Sequence, residues 1–267
     1  MADFPTRVRA DRSRVRTGVV WDVLRSVLER AEGAAGVDGS AGADGAAARR
    51  PLDVLDAGGG TGGFAVPLAE RGHNVTVVDP SPDALASLER RVAEAGVADR
   101  VSAVQGDAAG LLEVVAPASV DLVLCHGVLE HVDDAASAVA AVAGCLRPGG
   151  TLSLLVANRH AAVLSRAVTG HFAEARRALG DPAGRWGDRD PMPRRFSDAE
   201  IEQLLTEAGL VVEAVHGIRV FADLVPGALV DGEPGALDAL LALESAAAEH
   251  PAFRAVATQL HLLATRS

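Results

Sequence analysis

Four polar residues stand directly after runs of strand-forming residues. Asp56 follows Leu52–Leu55, Asp79 follows Val75–Val78, Asp107 follows Val101–Gln105 and Gly106, and His126 follows Val120–Cys125. Between Asp56 and an amphipathic segment carrying Phe64, Val66, Leu68 and Ala69 lie glycines 58, 59, 60, 62 and 63. A glycine cluster there supplies backbone dihedrals that other residues resist and lets a ligand come close to the main chain. The helix start beyond it offers N–H groups without intrahelical partners. Carboxylates beside such a turn suit hydroxyl, amine or ammonium donors. Two patterns overlap on the glycines. Gly58, Gly60 and Gly63 satisfy G-x-G-x-x-G, with Asp79 near the place of a ribose-binding acid, and alone this is a weak signal for a dinucleotide. Asp56, Gly58, Gly60 and Gly62 also satisfy D-x-G-x-G-x-G.

The elements that hold these residues alternate. Strand, glycine turn, helix, strand, acid is a nucleotide-binding βαβ unit. Pro82–Ala95 reads as a helix with proline in its first turn, and Ala135–Leu146 as another, stopped by the turn Arg147-Pro148-Gly149-Gly150. Thr151–Ala157 makes a fifth strand, Leu210–Val215 a sixth and Leu260–Ala264 a seventh. This predicts an α/β fold with a doubly wound, mostly parallel seven-stranded sheet. Ligands bind such sheets at the carboxyl ends of the strands, where Asp56, Asp79, Asp107 and His126 all fall. Residues 17–31 read as an amphipathic helix, 33–50 as a low-complexity Ala/Gly connection, and 197–208 as a helix opened by a Ser-x-x-Glu capping box. Further helical stretches are expected at 236–247 and 251–257. The domain reading is an arm, helix and connection over 1–50, then one large domain over 51–267. From 158 to 196 the alternation breaks in a stretch rich in arginine and proline. This is read as a cap inserted after the fifth strand, or as a surface loop whose arginines are balanced by Glu174, Asp181, Asp188 and Asp190.

Composition narrows the partners. The 267 residues carry a net charge of −11 and are 49% hydrophobic, with no lysine and no tyrosine. That balance argues against broad nucleic-acid binding but leaves room for a local basic patch. Cys125 and Cys145 form no C-x-x-C pair, consistent with a reduced compartment. No apolar run approaches the ~18 residues of a membrane span, and no signal-peptide core is present at the N-terminus. A soluble cytoplasmic protein is expected, without a metal cluster; oligomeric state is not legible.

DAGGGTGG, VVDPS, QGDAA, LCHGVLEHVDD and LRPGGTLSLLVAN together resemble the class I S-adenosylmethionine methyltransferases over residues 52–157. LAERGH, VTGHF, GIRVFADL and ALLALES with EHPAFRAVATQLHLLATR are similar to the bacterial tRNA 5-carboxymethoxyuridine methyltransferases. The resemblance implies a Rossmann-like fold with an N-terminal helical lid, S-adenosylmethionine as cofactor, and methyl transfer to an oxygen. It assigns cofactor contacts to Arg16, Gly58, Gly59, Asp79, Asp107, Ala108, Ala109 and His126. Asp79 would take the ribose hydroxyls, and residues 107–109 the adenine. Asp56 and Gly60 join them on physical grounds, because Asp56 would repel a pyrophosphate but accept hydrogen bonds from a methionine ammonium. His126 has a bland alternative, a partly buried hydrogen-bonded histidine. The acceptor side is thinner: Asn158, Arg194, Arg195 and Arg219 are candidates. A carboxylate acceptor needs no general base, whereas a hydroxyl would make His131 or His160 useful; no catalytic residue is assigned. The methyl acceptor is expected to be tRNA, through a modified wobble-uridine carboxylate, or a small anionic metabolite. A dinucleotide-binding oxidoreductase or a regulator without turnover remains a separate class.

Overall fold

The computed structural model describes residues 17–30 and 50–267. Its strands are β1 (Asp53–Ala57), β2 (Asn74–Asp79), β3 (Val101–Gln105), β4 (Val120–His126), β5 (Leu146–Ala157), β6 (Leu210–Ile218) and β7 (Gln259–Arg266). They form the expected seven-stranded sheet, in the order β3-β2-β1-β4-β5-β7-β6. The helices are α1 (17–30), α2 (Ala65–Glu70), α3 (Pro82–Ala95), α4 (Leu111–Val114), α5 (Ala135–Cys145), α6 (Arg159–Val168), α7 (Phe172–Gly180), α8 (Asp198–Glu207), α9 (Gly227–Gly232), α10 (Ala236–Ala247) and α11 (Pro251–Arg254). Packing divides the chain into two compact units. One comprises Arg25–Leu154, Glu202–Glu213 and Leu263–Ser267; the other comprises Leu155–Ile201, Ala214–Leu262 and the segment ending at Leu24.

In the first unit β1 runs parallel to both β2 and β4, and β2 parallel to β3. The inner strands read as continuous apolar runs because both sheet faces are covered, and Val54, Leu55, Val77, Val78, Leu122, Val123 and Leu124 are all buried. β3, at the sheet edge, is largely exposed. Helix ends follow local chemistry. Ser81 accepts from the Ala84 N–H ahead of Pro82, and Gly96 closes α3 at φ +70°. Asp134 accepts from the N–H groups of Ala136 and Ser137 to start α5. One boundary differs from expectation. The sequence places a turn at 147–150, yet β5 begins at Leu146 and carries these residues. Arg147 holds them in line, its Nη2 2.8 Å from Asp53 Oδ2 and its Nη1 2.7 Å from Asp121 Oδ1, while Gly149 absorbs the bend at φ +76°.

In the second unit the stretch after β5 is helical where the sequence pattern suggested only an irregular cap or loop. Asn158 caps α6 by accepting from the His160 N–H, and α7 packs against α6. The capping box is present, with the Ser197 N–H donating to Glu200 Oε2 and the Glu200 N–H to Ser197 Oγ. β6 runs to Ile218, three residues past the predicted end, and α11 stops at Arg254, short of the predicted Ala257. Among the described residues no helix is long and apolar enough to cross a membrane.

Candidate active site

The first unit builds its site where β1 ends. Asp56 lies in register between Val77 of β2 and Leu124 of β4. The next residues cannot leave along the strand, because the Gly58 N–H donates to Val78 O at 2.7 Å. Gly58 therefore sits at φ +73°, and a Cβ there would stand 2.4 Å from Val128 Cγ2. Gly59 has ordinary backbone angles, but its Cβ would fall 2.5 Å from the Asp56 carboxyl. Gly60 donates its N–H to Asp79 Oδ2 at 2.9 Å, and the Ser81 N–H donates to Asp79 Oδ1 at 2.9 Å. The turn is thus folded back over two acids.

Those acids are in different states. Asp79 is buried, with both oxygens on backbone donors. Asp56 is 3% exposed, and its Oδ2 has no hydrogen-bond partner among the described residues. Burial, reinforced by the neighbouring Asp79 carboxylate, pushes the Asp56 carboxyl up to about 7. An unpaired buried acceptor of this kind costs on the order of 1–3 kcal/mol, a cost that a ligand ammonium would remove. A cationic amino-acid group and a ribose diol fit this pair better than a pyrophosphate does.

The other sequence candidates are placed as follows. Asp107 is exposed and turns one oxygen onto its own loop, Oδ1 accepting from the N–H groups of Ala109 at 3.0 Å and Gly110 at 2.8 Å. Ala108 is buried beneath that loop and Ala109 exposed on it. The half-buried His126 Nε2 lies 2.9 Å from Ser153 Oγ, and its ring meets Phe64 edge-on at 4.7 Å. Burial lowers its pKa to about 4, so the imidazole is neutral at pH 7. Cys125, beside it, is buried and its thiol is pushed up to about 12, which removes it as a nucleophile. His131 and His160 are exposed. Arg16 lies outside the described residues, as do most of residues 1–50.

Comparison with known proteins agrees with this geometry. Residues 55–154, the stretch that carries the glycine turn and all three acids, match the family described as Methyltransferase domain. These residues are thus similar to a methyltransferase domain. The chain is 36% identical over 175 residues to the tRNA 5-carboxymethoxyuridine methyltransferase of Escherichia coli (strain K12), covering 64% of each protein. It is 35% identical over 167 residues to a ubiquinone biosynthesis O-methyltransferase of Xanthomonas euvesicatoria, covering 62% of this chain and 65% of that one. The chain therefore spans just under two thirds of the length of these relatives. In fold it is similar to the magnesium protoporphyrin IX methyltransferase of Synechocystis PCC 6803, solved with bound SAH. That likeness has a TM-score of 0.57 and 16% identity over 95% of this chain and 86% of that chain. A second likeness is to a SAM-dependent methyltransferase of Methanosarcina mazei, with a TM-score of 0.56 and 18% identity over 82% and 94%. The chain thus has the Rossmann-like class I fold.

Outside the matched residues, the second unit contains a cavity of ≈ 270 Å³ at the end of β5. Asn158, Arg195 and Arg219 line it, whereas Arg194 is half-buried and not part of the lining. Asn158 is spent on packing, its amide donating to Ala255 O at 3.0 Å and Ala257 O at 2.9 Å. Arg195 is forked onto buried Asp190 at 2.7 and 3.0 Å, and it orders the loop between α7 and α8. Arg219 pairs with Asp223, which also accepts from Thr258 Oγ1 at 2.8 Å. Sequence reasoning missed Glu244. This residue is 1% exposed and its carboxylate accepts from three consecutive N–H groups, those of Val220, Phe221 and Ala222. The available signal was an acid on the same helical stripe as Leu240 and Ala247.

Proposed function

We propose that the protein is an S-adenosylmethionine-dependent methyltransferase acting on an oxygen acceptor, and that this acceptor is the carboxylate of a modified tRNA wobble uridine. The observation that carries the cofactor half is Asp56: a buried carboxyl whose Oδ2 has no partner among the described residues, set under a tight glycine turn. The 36% identity to a tRNA 5-carboxymethoxyuridine methyltransferase supports the acceptor half.

S-adenosylmethionine supplies a methyl group already activated by the sulfonium. The chain's task is then to bind and orient. Asp56 would accept from the ammonium through its carboxylate. Asp79, fixed by Gly60 and Ser81, would accept from ribose hydroxyls through its remaining lone pairs. The loop of Asp107, Ala108 and Ala109, rigidified by the Asp107 carboxylate, borders the adenine. His126, neutral and tied to Ser153, contributes an uncharged wall beside Phe64. Gly58 and Gly59 let the turn pack closely against Val128 and the Asp56 carboxyl. Holding two reactants in line supplies roughly 7–11 kcal/mol of a displacement barrier. A carboxylate acceptor is ionised at pH 7, so no residue has to remove a proton.

A second reading, a small-metabolite O-methyltransferase, is favoured by the net charge of −11 and by the 35% identity to a ubiquinone biosynthesis O-methyltransferase. Incubation with methyl-labelled cofactor and total tRNA separates the two. Label in polymer that nuclease releases is expected. Label confined to small molecules would favour the metabolite reading, and no transfer to tRNA or to a metabolite extract would contradict both.

A further inference from the structure

Arg219 follows β6 with φ +58°, in the left-handed region that residues with a Cβ avoid. Strain of this kind persists only where the surroundings over-determine it, and it concentrates at ligand clamps. Here the surroundings are explicit. The Arg219 carbonyl accepts from the Thr258 N–H at 3.3 Å. The next three N–H groups converge on buried Glu244 at 2.8, 2.8 and 2.7 Å. Three donors to one carboxylate fix the loop as an anion-filled nest does.

The side chain is set with equal care. Arg219 Nε donates to Asp223 Oδ2 at 3.0 Å, Nη2 donates to the same oxygen, and Thr258 Oγ1 joins them there. This is a side-on grip. It leaves Nη1 without a partner among the described residues, so the guanidinium still has an open edge of the kind that forks onto a carboxylate. Arg195, also on the cavity lining, differs because both of its terminal nitrogens are consumed by Asp190. Leu164, Val220, Leu224 and Val256 give the same cavity apolar walls, the usual make-up of a small-ligand site with a few placed polar groups. Asp223 offsets the charge of Arg219, so recognition rests on the directed edge instead of on a general positive field.

We propose that this cavity is a carboxylate-binding site and that Arg219, aimed by Asp223 and Thr258 and held in its backbone state by Glu244, grips the ligand's carboxylate. The ligand class is a carboxylate carried on a compact, partly apolar body the size of a nucleobase or an aromatic ring.

The test is calorimetric titration of the full chain with 5-carboxymethoxyuridine and with uridine, each with and without saturating S-adenosylhomocysteine. The carboxylate-bearing nucleoside is expected to bind roughly tenfold or more tightly than uridine, as a charged hydrogen-bond pair implies. Arg219→Gly, which tolerates the positive φ, should melt no lower than the parent and lose that preference. Arg219→Lys, which keeps the charge without the fork, should lose most of it. Thr258→Val, which loosens Asp223, should reduce it. Equal binding of the two nucleosides to the parent, or a preference that survives Arg219→Gly, would overturn the proposal. Failure of S-adenosylhomocysteine to bind strikes the methyl-transfer reading instead, because the nucleoside preference is measured without it as well.

Discussion

Asp56 and His126 sit on neighbouring strands and respond to pH in opposite directions. Folded Asp56 keeps its proton up to about pH 7, whereas its ordinary value is 3.8. Between those values the folded chain holds more protons than the unfolded one, so the Asp56 contribution to stability falls as pH rises. His126 is depressed from 6.5 to about 4. Across that window the unfolded chain holds the extra proton, and stability is lost as pH falls. The two trends partly cancel in the ligand-free protein. Asp56→Asn should leave the rising trend of the buried histidines unopposed by Asp56: urea unfolding from pH 4 to pH 8 should then show stability rising steadily to about pH 6.5 and flattening. At pH 8 the variant should be more stable than the parent by about 2–4 kcal/mol, since a buried carboxylate need no longer ionise, while its affinity for S-adenosylhomocysteine drops. A parent and variant with superimposable pH profiles would contradict the assigned state of Asp56. In the parent, that affinity should increase as pH rises through 7, because the ionised acid is the one that receives the ammonium.

At the scale of elements, much of the first unit could be read directly from the chain. Apolar runs ending in a polar residue, acids after β1 to β3 and His126 at β4, give these four strands, and the glycine spacing gives the turn, because local sterics dictate both. Gly62 shows how tightly that turn couples to its surroundings: at φ +79°, a Cβ would lie 2.3 Å from Leu88 Cδ1 on α3. Gly62→Ala should cost about 1–3 kcal/mol, from overpacking and from strain at positive φ, measured by chemical denaturation. What was not legible depends on contacts distant in sequence. The start of β5 rests on Arg147 reaching Asp53 and Asp121. The cavity candidates Asn158 and Arg195 were chosen by residue type, and only the fold reveals that their polar atoms are committed to Ala255, Ala257 and Asp190. α6 and α7 were obscured because α6 buries no residue fully and α7 buries only the small Ala175 and Ala178. Glu244 was invisible because its partners are backbone groups more than twenty residues away. Glu244→Ala leaves three N–H groups without their acceptor and should destabilise the protein by about 3 kcal/mol or more, lowering its melting temperature. A loss under 1 kcal/mol would mean that the loop holds its shape without it.

The whole molecule separates its charge. Residues 158–196 carry eight arginines against four acids in a chain whose net charge is −11. Under the tRNA reading this stretch is the natural resting place for a phosphate backbone, and binding should then weaken steeply with salt. Binding that is insensitive to salt would favour the metabolite reading. Both readings depend on one prior claim, that the carboxyl ends of β1 and β2 form a binding site for S-adenosylmethionine. Calorimetric titration of the intact chain with S-adenosylhomocysteine and, separately, with NAD addresses that claim most directly, with Asp79→Ala as the matched variant. The account predicts micromolar binding of S-adenosylhomocysteine, none of NAD, and at least tenfold weaker binding in the folded variant, as expected for a lost charged hydrogen-bond acceptor. Binding of NAD alone, or an affinity for S-adenosylhomocysteine unchanged by Asp79→Ala, would contradict it.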